Sequence, residues 1–149
     1  MNFETIFSLS SLLVMPFWLL LIFLPRWRVT ERLVAGPWLA VPAALLYVAL
    51  VLPHFGEIFA AVLNPTLAGV TELLGDPAGA TIGWAHFLAF DLFVGRWVYL
   101  DGRANNISAW FISPILFFVL MLGPLGFLLY LVVRVAVSRQ FSADGRSAL

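Results

Sequence analysis
Charged side chains divide this chain into stretches far too long and too apolar for the faces of a soluble fold. Residues 5–25, 33–56 and 104–133 hold no Asp, Glu, Lys or Arg over 21, 24 and 30 positions. A hydrocarbon layer about 30 Å thick needs roughly 20 apolar residues of helix, so each run predicts a membrane crossing. A fourth run, 80–100, carries His86, Asp91 and Arg96 but is otherwise dominated by Phe, Leu, Val and Ile. Trp84 near one end and Trp97 with Tyr99 near the other suit rings seated at headgroup level. The pattern predicts four helices near 5–24, 36–55, 80–100 and 107–135. The first lacks a basic leader segment and is expected to be retained.

Between the second and third helices, residues 57–79 hold Glu57, Glu72 and Asp76 with Pro65, Gly75 and Pro77. Apolar positions from Ile58 to Leu74 predict a short interfacial helix and then a turn. The last run is too short for two crossings, and Pro114 and Gly123-Pro124 predict either one kinked, tilted helix or a re-entrant segment. The tail, 136–149, is expected to be flexible. The fold class is all-α: a polytopic four-helix transmembrane bundle in a single domain, 1–149.

Composition agrees with a lipid-facing chain. Of 149 residues 62% are hydrophobic and 11% charged, against about 25% charged in soluble domains, so polar side chains are too few to cover a water-facing surface. Eight basic residues balance eight acids, which leaves no positive field for nucleic acid. The absence of cysteine excludes thiolate chemistry and disulfides. All eight basic residues are arginines, and their distribution over the loops favours an outside N-terminus with the loop 26–32 inside. Four full crossings would then strand Arg134, Arg139 and Arg146 outside. A re-entrant last segment would bring them in.

Asp91 is the most informative residue, because a carboxylate near mid-membrane costs about 2.5–3.5 kcal/mol on insertion scales. It should face protein, either bonded to a partner or protonated. His86 and Arg96 stand five residues to each side, and successive side chains at that spacing turn by about 140°, so one flat face cannot hold all three. The catalytic reading makes Asp91 a proton donor or acceptor, His86 a second acid–base group and Arg96 the group that orients an oxygen or counters Asp91. The structural reading makes them helix-packing contacts and a snorkelling arginine. His54 and Glu57 supply half a metal site at most, so no metal is expected. No phosphate loop, dinucleotide fingerprint or serine elbow is present, and no cofactor is expected.

The string Trp84-Ala-His86-Phe-Leu-Ala-Phe-Asp91-Leu-Phe-Val-Gly95-Arg96-Trp97, followed by Leu122-Gly-Pro124-Leu-Gly126, Tyr130 and Arg134, resembles the abscisic-acid-deficient-four-like family. Pro16-Phe17-Trp18 and Tyr47 fit the same pattern, and the likeness covers residues 3–134. The resemblance implies a small four-span membrane protein. In plants it implies a part in converting violaxanthin to neoxanthin, an epoxide-to-allene isomerisation without net electron transfer. The expected function is therefore a membrane isomerase without redox cofactor, or an accessory factor, acting on a carotenoid-like isoprenoid in a bacterial inner membrane. The alternative is a non-enzymatic scaffold or lipid-binding protein. The bilayer is the other expected partner.

Overall fold
The structure, a computed structural model, describes residues 2–147, with side chains through Val137. Its elements are α1 (Phe3–Phe23), α2 (Arg28–Ala35), α3 (Val41–Val51), α4 (Phe55–Leu63), α5 (Leu67–Gly75), α6 (Pro77–Ala104) and α7 (Ala109–Ser147), with 3-10 turns at Pro37–Leu39 and Leu52–His54. No strand occurs among the described residues. Four segments are long and apolar enough to cross a membrane: Phe3–Phe23, Val41–Leu63, Pro77–Ala104 and Ala109–Val137. The chain is an all-α integral membrane protein.

The second segment differs most from its expected 36–55. It starts later because Arg28–Ala35 forms a helix of its own, with Thr30 and Val34 buried one turn apart and Arg28 and Arg32 exposed. Thr30 Oγ1 donates to the Leu24 carbonyl at 2.8 Å, which fixes α2 to the end of α1. The segment also ends later. Pro53 has no N–H to give an α-helix, and a 3-10 turn at Leu52–His54 absorbs it, so the helical run continues to Leu63. The expected interfacial helix is thereby shortened to α5, whose Thr66 cap accepts from the Gly69 N–H at 3.1 Å. Asp76 then starts α6 by accepting from the Ala78 N–H at 2.9 Å, with Pro77 in the first helical turn, where a missing N–H does no harm.

The described chain forms two compact units. The first joins α1 up to Pro16 with Ala40–Phe90. Its core is Leu50, Ile82 and Ala85, with Ile6, Tyr47 and Ile58 packed against them. Trp84, expected at headgroup level, donates from Nε1 to Ser11 Oγ at 3.0 Å and stacks on Phe7.

The second unit joins Phe17–Leu39 with the chain from Asp91 onward, and in it α7 folds back on itself. Leu122 (φ −142°, ψ 38°) and Gly123 (φ 9°, ψ −79°) are not helical. A Cβ at Gly126 would meet the backbone of Phe118 and Val119, which a straight helix holds about 10 Å away. A Cβ at Gly102 would lie 2.5 Å from Ile112 Cδ1 and 3.8 Å from Tyr130 Cε2, although 18 residues of straight helix extend about 27 Å. Both arms therefore return to the same level of α6. Each arm within the membrane, of some 13 residues, reaches about 20 Å, short of the hydrocarbon thickness. Of the two versions open at the sequence level, the geometry is the re-entrant one. Pro114, unlike Gly123-Pro124, brings no departure from helical dihedrals.

The hairpin places the start and return of α7 at one level of the second unit. All eight arginines belong to the segments of that unit and none to the first, whose charged residues are Glu4, Glu57, Glu72 and Asp76. By the positive-inside rule the arginine-bearing loop and tail are expected on the cytoplasmic side. In single-cysteine variants, an impermeant maleimide applied to intact cells should label Gly75→Cys. It should label Arg28→Cys and Ser142→Cys only after permeabilisation. Labelling of Ser142→Cys in intact cells would show that α7 crosses fully.

Candidate functional site
Asp91 stands at the midpoint of α6, a helix of 28 residues. It is half-buried, and its carboxylate occupies the space where a side chain at position 123 would begin. Only glycine permits that approach, so the break in α7 and the intramembrane acid form one feature. No hydrogen-bond donor among the described residues reaches the Asp91 oxygens. One turn further along α6, Gly95 makes room for a second close contact: its Cβ would lie 2.6 Å from Trp18 Cη2. Trp18 is 1% exposed, and its indole N–H is buried without a partner among the described residues.

Arg96 shares the second unit with Asp91 but not a bond. Its Nε donates to the carbonyls of Val34 and Gly36, each at 2.9 Å, and one terminal nitrogen donates to Ala35 at 3.0 Å. These are carbonyls at the C-terminal end of α2, which lack intrahelical partners, and a cation there also complements the helix dipole. The guanidinium thus caps α2 and makes no ion pair with Asp91, where the sequence reading allowed it to counter the acid. His86 belongs to the first unit. Its ring stacks on Phe90 with centroids 4.7 Å apart and meets Tyr47 edge-on at 5.3 Å. His54 and Glu57 approach to 3.9 Å in an exposed pair.

A polar network in the second unit escaped the sequence reading. On the returning arm of α7, Tyr130 and Arg134 sit one turn apart and converge on Asp101 of α6. The Tyr130 hydroxyl donates to Asp101 Oδ2, and Arg134 Nε donates to the same oxygen at 2.6 Å. Arg103 donates at 2.6 Å to Glu31 of α2 and at 2.8 Å to the Tyr99 hydroxyl, which in turn donates to the Pro25 carbonyl. Tyr99, expected in an aromatic belt, is 2% exposed. The available signal was the i, i+4 spacing of Tyr130 and Arg134 at the end of an apolar run, which predicts one shared face but not which acid it meets.

The comparisons with known proteins bear on this geometry. Residues 5–130 match the family described as ABA DEFICIENT 4-like. The chain belongs to that family. The matched region holds His86, Asp91, Arg96, Gly123 and Tyr130, and stops short of Arg134. Protein ABA DEFICIENT 4, chloroplastic, of Arabidopsis thaliana is 23% identical over 144 residues, covering 93% of this chain and 64% of that protein. The chain thus spans less than two thirds of that relative's length. No solved structure matches it.

Two outcomes follow for this ABA DEFICIENT 4-like chain. Gly123→Ala should cost about 1–3 kcal/mol, because the added methyl collides with the Asp91 carboxylate. Thermal unfolding in detergent of Gly123→Ala, Asp91→Ala and the double variant should show a coupling of about 0.5 kcal/mol or more; additive losses would show that the two residues do not touch. Arg96→Leu leaves the α2 carbonyls without their donor and should lose about 1–3 kcal/mol. Arg96→Lys should restore only part of this, since an ammonium cannot reproduce the guanidinium fork. Full stability in Arg96→Leu would remove the capping role.

Proposed function
We propose that the protein is a membrane isomerase, or an accessory factor, acting on a carotenoid-like isoprenoid in the inner membrane of a bacterium. Membership of the ABA DEFICIENT 4-like family supports a carotenoid-related role. The observation that carries a chemical role is Asp91: a carboxyl without a hydrogen-bond donor among the described residues, halfway along a membrane helix and against the tip of a re-entrant hairpin. Helix breaks at membrane depth are tolerated where protein or a cavity surrounds them, and they commonly mark substrate sites.

In an epoxide-to-allene isomerisation, one proton goes to the epoxide oxygen as a C–O bond breaks. Another leaves a neighbouring carbon as the allene forms, so composition and oxidation state are unchanged overall. Asp91 is assigned the proton delivery, His86 the proton removal, and Arg96, through its hold on α2, a positioning role. Expression in a host that accumulates violaxanthin-type epoxides, with pigments separated by chromatography, tests this. Wild type should yield a new isomer of unchanged mass, and Asp91→Asn, at equal membrane abundance, should not. If well-inserted wild type yields no such isomer from several epoxides, catalysis is excluded for them and the accessory reading stands.

The second reading, a scaffold or lipid-binding protein, is favoured by the contact between Asp91 and Gly123, which gives the acid a packing role. It predicts that Asp91→Asn keeps the pigment profile of wild type.

A further inference from the structure
Two clefts adjoin in the second unit and share Pro25, Arg26 and Ala109. One, of about 780 Å³, is apolar, with Ile22, Phe23, Trp27, Trp110, Phe117 and Phe118 among its walls. The other, of about 600 Å³, is lined by Arg26, Glu31, Tyr99, Arg103, Asn106 and Ser108. Both volumes lie in the range of small-molecule sites, roughly 300–1,000 Å³.

Within the polar cleft the charges are unevenly satisfied. Arg103 and Glu31 form an ion pair at 2.6 Å, and Arg103 also donates to Tyr99. The Arg26 guanidinium and the side chains of Asn106 and Ser108 have no hydrogen bond or ion pair among the described residues. Once the Arg103–Glu31 pair cancels, one positive charge and two neutral hydrogen-bonding groups face the cleft. A guanidinium presents a fork that matches a phosphate. The apolar cleft opens beside it, with Trp27 and Trp110 at 50% and 86% exposure. A ligand complementary to both has an apolar chain and a singly charged anionic head at one end.

We propose that the joined clefts bind an anionic phospholipid, its phosphate at Arg26, Asn106 and Ser108 and one chain along the aromatic wall. This site involves neither Asp91 nor His86, and it stands or falls independently of the isomerase reading. The full chain, purified in a neutral detergent, would be titrated with dioleoylphosphatidylglycerol and dioleoylphosphatidylcholine and the retained lipid counted by native mass spectrometry. Both lipids present the phosphodiester, but the choline cation of phosphatidylcholine cancels its charge and is repelled by Arg26, so phosphatidylglycerol should be preferred about tenfold, the ratio that about 1.4 kcal/mol supplies. Arg26→Gln should abolish the preference and Ser108→Ala weaken it, while Arg28→Gln, which removes an exposed arginine outside both clefts, should leave it intact. Thermal melting of each variant checks that it is folded, and Arg26→Lys, which keeps the charge, should retain an intermediate preference.

Equal retention of the two lipids, or equal losses in Arg26→Gln and Arg28→Gln, would overturn the proposal. Calorimetric titration with inorganic phosphate alone separates the remaining source: affinity matching that of the lipid, and lost in Arg26→Gln, would make this a site for a free anion and refute the lipid assignment.

Discussion
The contact between Asp91 and the turn at Leu122–Gly123 is the constraint on which the second unit depends. A membrane helix cannot simply reverse in hydrocarbon, because reversal breaks backbone hydrogen bonds that lipid cannot replace. Here the reversal sits against α6, and glycines make it sterically possible at each close approach: Gly123 against Asp91, Gly126 against the backbone of the outgoing arm, and Gly102 where both arms meet α6. Pro124 suits the first turn of the returning arm, since a helix start has unpaired N–H groups in any case.

The returning arm is then held by polar groups. Tyr130 and Arg134 close on Asp101, while Trp97 packs against Phe127 and edge-on against Tyr130. Apolar packing alone would not specify this register, because lipid tails are as apolar as leucine and offer the arm equivalent contacts. The same logic places Arg96: its three carbonyl acceptors tie α2 to α6, and Arg103 adds Glu31 and Tyr99 to that tie. Arg96, Arg103 and Arg134 therefore serve as structural donors, while arginines of this unit also carry the topological signal by which charge orients a membrane protein.

This arrangement leaves Asp91 distinct from every other acid of the unit whose side chain is described. Asp101 and Glu31 are paired with arginines, whereas Asp91 meets a glycine backbone. A group kept at mid-membrane at a cost of some 2.5–3.5 kcal/mol, with no partner among the described residues to offset it, is where chemistry is best sought. His86, framed by Tyr47 and Phe90, likewise makes no hydrogen bond among the described residues.

The sequence by itself determined the all-α class, the four apolar segments and the family. Those follow from residue type and run length, and lipid imposes them on any chain with this pattern. It also marked Gly123-Pro124 as a break, because proline lacks an N–H and glycine lacks a Cβ wherever they occur. Only tertiary structure decided that the break is a reversal, since a kink and a hairpin demand the same residues and differ in what the arms pack against. Likewise the partners of Arg96, Tyr130 and Arg134 were not legible. Helical periodicity reports which side chains share a face of one helix, and it carries no information on which face of another helix comes to meet them.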